Sequence, residues 1–137
     1  MKKYEFFEHT ADIGLKIYGK TLTELFINAA EGMFEAIADT GTVAAQHTIE
    51  ISISEQAEND AELLRLWLQE LLYYYSTTEI VFVEFLIHTL TLNNLKATVK
   101  GDKAFGKIKT EIKAVTYHQL EVKRSKDGYE ATVIFDV

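Results

Sequence analysis

Hydrophobic and polar positions along the chain change period several times, and each change marks an element. Residues 4–8 are aromatic and acidic. Ile13, Leu15 and Ile17 alternate with Gly14, Lys16 and Tyr18, the period-two pattern of a strand with one buried face, and Gly19-Lys20 ends it. Thr21-Leu-Thr-Glu24 has the form of a capping box, in which a hydroxyl and a carboxylate serve the free amides of a helix start. Leu22, Leu25, Phe26, Ala29, Ala30, Met33, Phe34 and Ile37 then recur at helical spacing, which predicts an amphipathic helix ending near Asp39-Thr40-Gly41.

The same logic carries through the rest of the chain. Thr48–Ser54 alternates and predicts a strand. Asn59 or Asp60 is positioned to cap a second helix, whose apolar face is Leu63, Leu64, Trp67, Leu68, Leu71, Leu72 and Tyr75, with Ser76-Thr77-Thr78 closing it. From Ile80 onward β-branched and aromatic residues dominate. Ile80–Asn93 reads as one long strand or two short ones, Asn93-Asn94 as a turn, Leu95–Lys100 as a strand and Gly101-Asp102 as a break. Lys103–Lys109 shows no clear pattern. Ala114–Arg124 alternates, Ser125-Lys126-Asp127-Gly128 holds an Asp-Gly hairpin signal, and Tyr129–Val137 alternates to the last residue. No linker, repeat or low-complexity segment interrupts this order. The expected architecture is α+β: one compact domain over residues 1–137, a mainly antiparallel or mixed sheet with two helices packed on it.

Composition narrows the chemistry. The chain has 137 residues and no cysteine, which excludes disulfides, thiolate metal sites and cysteine nucleophiles. Fourteen basic against 21 acidic residues give a net charge of −7, so a phosphate backbone is repelled on average and strong direct nucleic-acid binding is not expected. A cation site or a basic protein partner suits that charge. The N-terminus turns acidic and aromatic before any long apolar run, so no signal peptide is read, and no stretch reaches the ~20 apolar residues of a membrane span. The expected location is the cytoplasm. Neither a glycine-rich phosphate loop nor a Gly-x-Ser-x-Gly elbow occurs, and no nucleophile-and-base set is recognisable.

Candidate chemistry therefore falls to carboxylates. Asp12 lies just before a strand, Asp39 just after a helix, and Asp136 next to last, followed by the carboxylate of Val137. Each also has a plain structural reading: an Asx turn for Asp12, a loop or helix-end residue for Asp39, an outward strand position for Asp136. Two adjacent anions at Asp136 and Val137 call for solvent, a basic side chain or a cation. Oxygen-only ligands favour hard ions such as calcium, magnesium or manganese. Among the histidines, His9 near Asp12 is the best functional candidate, although a neutral ring hydrogen-bonded to a loop is the more ordinary reading of its position. His118, beside Tyr117 in a predicted strand, is a surface residue or a support for a ligand. Tyr73, Tyr74 and Tyr75 point about 100° apart on a helix and cannot form one stacking platform; Tyr75 is expected in the core, Tyr73 or Tyr74 partly exposed.

Taken together, these motifs resemble those of the archease family. The resemblance rests on Tyr4-Glu-Phe-Phe-Glu-His-Thr-Ala-Asp-Ile-Gly14, Gly19, the helix bearing Ala29, Ala30, Met33 and Phe34, and the Asp39-Thr-Gly turn. It continues through Leu63–Tyr75, Ile112-Lys-Ala-Val-Thr-Tyr-His118 and the closing Val133-Ile-Phe-Asp-Val137. It implies a non-catalytic partner of the tRNA-splicing RNA ligase that joins 2′,3′-cyclic phosphate and 5′-hydroxyl ends using GTP and manganese, speeding guanylylation and sustaining turnover. It also implies a divalent metal ion, calcium foremost with manganese or magnesium as alternatives, held by Asp12, Asp39 and Asp136, with the Val137 carboxylate as a further ligand and His9 and His118 behind them. One departure stands out. Where the family often carries an acidic segment and a histidine, this chain has the short, lysine-rich Gly101-Asp-Lys-Ala-Phe-Gly-Lys-Ile-Lys-Thr-Glu111. Two other functions compete on the residues alone: a metal-dependent phosphohydrolase using the same carboxylates with His9 or Tyr117, and a metal-indifferent protein-binding or chaperone module.

Overall fold

The computed structural model describes residues 2–137. Its elements run β1 (Tyr4–His9), β2 (Asp12–Gly19), α1 (Leu22–Ile37), a 3₁₀ turn (Thr40–Thr42), β3 (His47–Ile53), α2 (Asp60–Thr78), β4 (Ile80–Thr91), β5 (Asn94–Lys103), β6 (Ala114–Val115), β7 (Glu121–Ser125) and β8 (Gly128–Asp136). All strand pairings among the described residues are antiparallel, but they divide between two sheets instead of forming one. Five strands are ordered β1-β2-β8-β6 with β7 also on β8, and three are ordered β3-β5-β4.

Both helices begin where their capping residues dictate. The Thr21 hydroxyl accepts from the Glu24 amide at 3.1 Å, and Glu24 Oε1 accepts in turn from the Lys20 amide at 3.3 Å, one residue earlier than an ideal capping box. Asn59, not Asp60, caps α2 by accepting from the Glu62 amide at 2.9 Å. Leu25, Phe26, Met33, Phe34 and Ile37 of α1 and Leu63, Leu64, Trp67, Leu68 and Leu71 of α2 are buried against Leu15, Ile17, Val133 and Phe135 of one sheet and Val81, Phe82, Leu95 and Val99 of the other. The two helices thus fill the space between two sheets, and this shared core makes one domain of them. Tyr75 is in this core, Tyr73 is exposed and Tyr74 half-buried.

Three local expectations are corrected. Gly101-Asp102 does not break a strand: β5 runs through it to Lys103, pairing with β4 on one side and β3 on the other. Glycine stands at 101 because any Cβ there would collide with the Val81 carbonyl of the adjoining strand. The β4–β5 turn is Leu92-Asn93, since Thr91 pairs with Asn94. Ala114–Arg124 is not one strand but β6, a loop and β7; Thr116 Oγ1 donates to the Ile134 carbonyl at 2.9 Å and Gln119 takes a positive φ of 51°, which turns the chain away from β8 and back. Ile80–Thr91 is a single long strand with two register shifts.

Candidate functional site

Antiparallel register fixes which side chains share a face. Tyr4 pairs with Ile17 and Leu15 with Val133, so these point to the helices, while Phe7, Gly14 and Ile134 are on the outer face, where Ile134 is nonetheless fully covered. One step beyond the Ile13–Phe135 pair, Asp12 and Asp136 follow on that outward face at the same end of the sheet. The β2–β8 ladder ends at the Ile13–Phe135 pair, and each aspartate lies one residue beyond it: Asp12 is paired with His9 on its other side and Asp136 with Ala114. Like charges gathered at one sheet end repel unless solvent or a cation screens them.

The β1–β2 hairpin adds a histidine. Its two-residue turn, Thr10-Ala11, is so tight that Ala11 has a φ of 67°, and His9 and Asp12 become register partners. His9 Nδ1 lies 3.7 Å from Asp12 Oδ2, within ion-pair range but beyond a hydrogen bond, and it is buried with no hydrogen-bond partner. The His118 ring stands 6.3 Å from the His9 ring, carried there by the loop after β6. That loop is built by the Thr116 hydroxyl, which donates to the Ile134 carbonyl and accepts from the His118 amide at 3.2 Å. His9 thus has Asp12 on one side and His118 on the other, and Asp136 lies at the same end of the five-stranded sheet.

Asp39 is placed differently. It precedes the 3₁₀ turn, where its carboxylate accepts weakly from the Gly41 amide at 3.4 Å. Residues 107–113 link it to the sheet: the Asp39 amide donates to the Lys107 carbonyl, the Lys109 and Thr110 amides to the Ile37 carbonyl, and the Lys113 amide to the Asp136 carbonyl. A groove of about 400 Å³ lies along this segment, lined by Asp12, Glu8, Glu35, Phe6 and Lys109. Val137 follows Asp136 and is half-buried against the core.

The donor types suit a hard divalent ion: carboxylate oxygens, backed by an imidazole with an unused buried nitrogen. Among the described residues neither Asp39 nor Asp136 has a lysine, arginine or histidine within ion-pair distance. The arrangement is not a preformed cage, however. Among the described residues no three histidine, aspartate or glutamate side chains lie close enough together to hold one ion. Strand register leaves Asp12 and Asp136 at one end of the sheet, and Asp39 is connected to that end through the hydrogen bonds of the 107–113 segment. Glu8 and Glu35, the groove's other carboxylates, were not singled out in the sequence: Glu8 lies in the opening motif but carries no signal of its own there, and only the packing of α1 beside the β1–β2 hairpin brings Glu35 to the groove that Asp12 lines.

This architecture, two antiparallel sheets around two helices with polar groups gathered at one sheet end, defines a class of small α+β proteins. The sequence profile of the Archease protein family matches residues 4–137, so the chain belongs to the archease family. Protein archease of Methanosarcina acetivorans is 42% identical over 144 residues, covering 99% of this chain and 97% of its own, and that of Sulfurisphaera tokodaii is 37% identical over the full length of both. The solution structure of Methanobacterium thermoautotrophicum protein 1598 superposes with a TM-score of 0.79 at 36% identity over all of both chains. The crystal structure of a Thermotoga maritima protein described as an archease and possible chaperone does so with a TM-score of 0.69 at 26% identity, over 96% of this chain and 94% of that one. No helix among the described residues is long and apolar enough to cross a membrane.

Proposed function

We propose that the chain is a cytoplasmic activator of a GTP- and metal-dependent tRNA-splicing RNA ligase, promoting its guanylylation and repeated turnover. Family membership supports this reading. The single observation that supports the metal half of it is the Asp12 carboxylate beside the unsatisfied Nδ1 of His9, at the sheet end where Asp136 also lies. An architecture that needed only a stable sheet end gains nothing from that juxtaposition.

In this reading Asp12, Asp39 and Asp136 hold the ion, calcium or manganese or magnesium, and His9 and His118 support Asp12. When bound, a divalent ion supplies a positive centre that phosphate oxygens can join. The chain's own residues do the rest. The β2–β8 register holds two ligands rigidly, the tie of residues 107–113 to Ile37 and Asp136 governs how closely Asp39 approaches, and the His9 ring limits the freedom of Asp12. The test is a ligation time course with ligase far below substrate, with and without this protein. Product continuing to accumulate past one turnover per ligase only in its presence is the expected result; identical courses would refute the activator reading.

A metal-indifferent binding module is the second reading, favoured by the large exposed side chains Phe105, Tyr117 and Leu86. It differs in one outcome: chelation of divalent ions would leave partner binding unchanged.

A further inference from the structure

A second cavity lies on the far side of the segment that follows β5. It measures about 410 Å³ and sits between the C-terminal end of α2 and residues 103–111. None of the candidate metal ligands lines it. Its walls are unlike those of a general apolar pocket. Phe105 and Ile108 provide apolar surface and are exposed, Phe105 to 78%. Glu79 and Glu111 provide carboxylates. Tyr75, itself in the core, donates its hydroxyl to Glu111 Oε1 at 2.9 Å and so pins that carboxylate to the wall.

Against the one cation in its lining, Lys103, three features make the cavity attractive to a positive group. Glu79 occupies the left-handed cap position of α2, with φ 65°, where glycine is the common residue. Its carboxylate therefore stands at the negative end of a 19-residue helix whose last turn contains no basic residue. Glu111 adds a second charge. The face of the Phe105 ring adds the negative side of its quadrupole, and Lys103 Nζ already lies 6.0 Å from its centroid. The ring is thus placed to accept a cation, and the chain's own lysine reaches it only at the limit of that interaction. An occupant must combine a positive head with an apolar stem, be planar enough to stack on Phe105, and present several donors to two carboxylates. A guanidinium on its three-carbon stem meets all of these requirements, and an ammonium meets fewer.

We propose that this cavity is a docking pocket for an arginine side chain of a basic protein partner, with Phe105 as the stacking face and Glu79 and Glu111 as its acceptors. The overall charge of −7 favours such a partner's approach. The occupant's chemistry does not depend on whether that partner is a ligase.

The test uses arginine amide as probe and citrulline amide, a near-isostere with the same α-amine but an uncharged side chain, as control, each titrated into the intact protein and followed by amide chemical shifts. Saturable shifts confined to residues 76–79 and 103–111 with arginine amide, and none with citrulline amide, are expected. Phe105→Ala, at an exposed site, and Glu79→Gly, which installs the favoured cap residue, keep the fold while removing one recognition element each. Each is expected to weaken binding about two- to fivefold, the range of an exposed cation–π or helix-end charge contact. Equal shifts with citrulline amide, no saturable shift, or undiminished affinity in both variants would overturn the proposal.

Discussion

Replacing Trp67 with alanine tests the packing that joins the two helices. Trp67 is fully buried on α2; its ring meets Phe85 of β4 edge-on at 6.4 Å, and its Nε1 donates to the Phe26 carbonyl of α1 at 3.0 Å. Truncation removes the ring's transfer free energy and leaves a cavity enclosed by α1, α2 and β4, a combination that costs about 3–5 kcal/mol for a buried tryptophan. The lost hydrogen bond adds little beyond this, because Phe26 lies inside α1 and its carbonyl keeps its helical partner. Trp67→Phe keeps much of the volume and loses that bond, and is expected to cost about 1–2 kcal/mol. Against a total stability of about 5–15 kcal/mol, the alanine variant removes a large share. Trp67 is the only tryptophan, so tryptophan emission disappears with the substitution and urea unfolding of both proteins is best compared by far-ultraviolet circular dichroism. A loss below about 1 kcal/mol for Trp67→Ala would refute the claim that this residue bridges helices and sheet.

Gly101→Ala drives a methyl into the Val81 carbonyl, and β4 must separate locally from β5 to admit it; a loss of at least about 2 kcal/mol by denaturant titration is expected, and an unchanged midpoint would contradict the close approach. Glu70 on α2 has its carboxyl raised above the usual range, by burial first and by the Glu55 charge second. A raised folded-state value means the contribution of its protonated form is present at low pH and is lost as pH rises through that value. Glu70→Gln, which stays neutral, is therefore expected to melt higher than wild type at neutral pH, with the gap closing on acidification; a gap that widened in acid would show the sign to be wrong.

Most of the fold was legible because its periods are clean. Thr21 and Asn59 announce helix starts by side chains that can serve free amides, and the faces carrying Phe26, Phe34, Trp67 and Leu71 follow from 3.6-residue spacing. What failed was punctuation. Gly101-Asp102 reads as a break by composition, yet at 101 glycine serves a strand pressed against a neighbour, a tertiary contact no local pattern records. Ala114–Arg124 alternates in sequence, but the hydroxyl of Thr116 and the positive φ of Gln119 interrupt it. The division into two sheets depends on which strands pair across long separations. At the site, the alternation of Val133–Asp136 put Asp136 on the face opposite Val133 and Phe135, and the pairing of β8 with β2 left Asp12 at the same end of the sheet. The contact of His9 with Asp12 was foreshadowed by their three-residue spacing, whereas Glu8 and Glu35 became visible only through the groove.

The central claim is that the chain assists a ligase through a cation held at the aspartate carboxylates. Asp136→Asn tests it most directly, because it removes one charge, preserves shape and relieves repulsion at an exposed strand end. The measurement is product formed per ligase in the multiple-turnover ligation reaction, with wild-type protein or with Asp136→Asn shown by circular dichroism to be folded. The account predicts that the variant loses most of the stimulation while keeping its fold. Stimulation equal to wild type from the folded variant would contradict it.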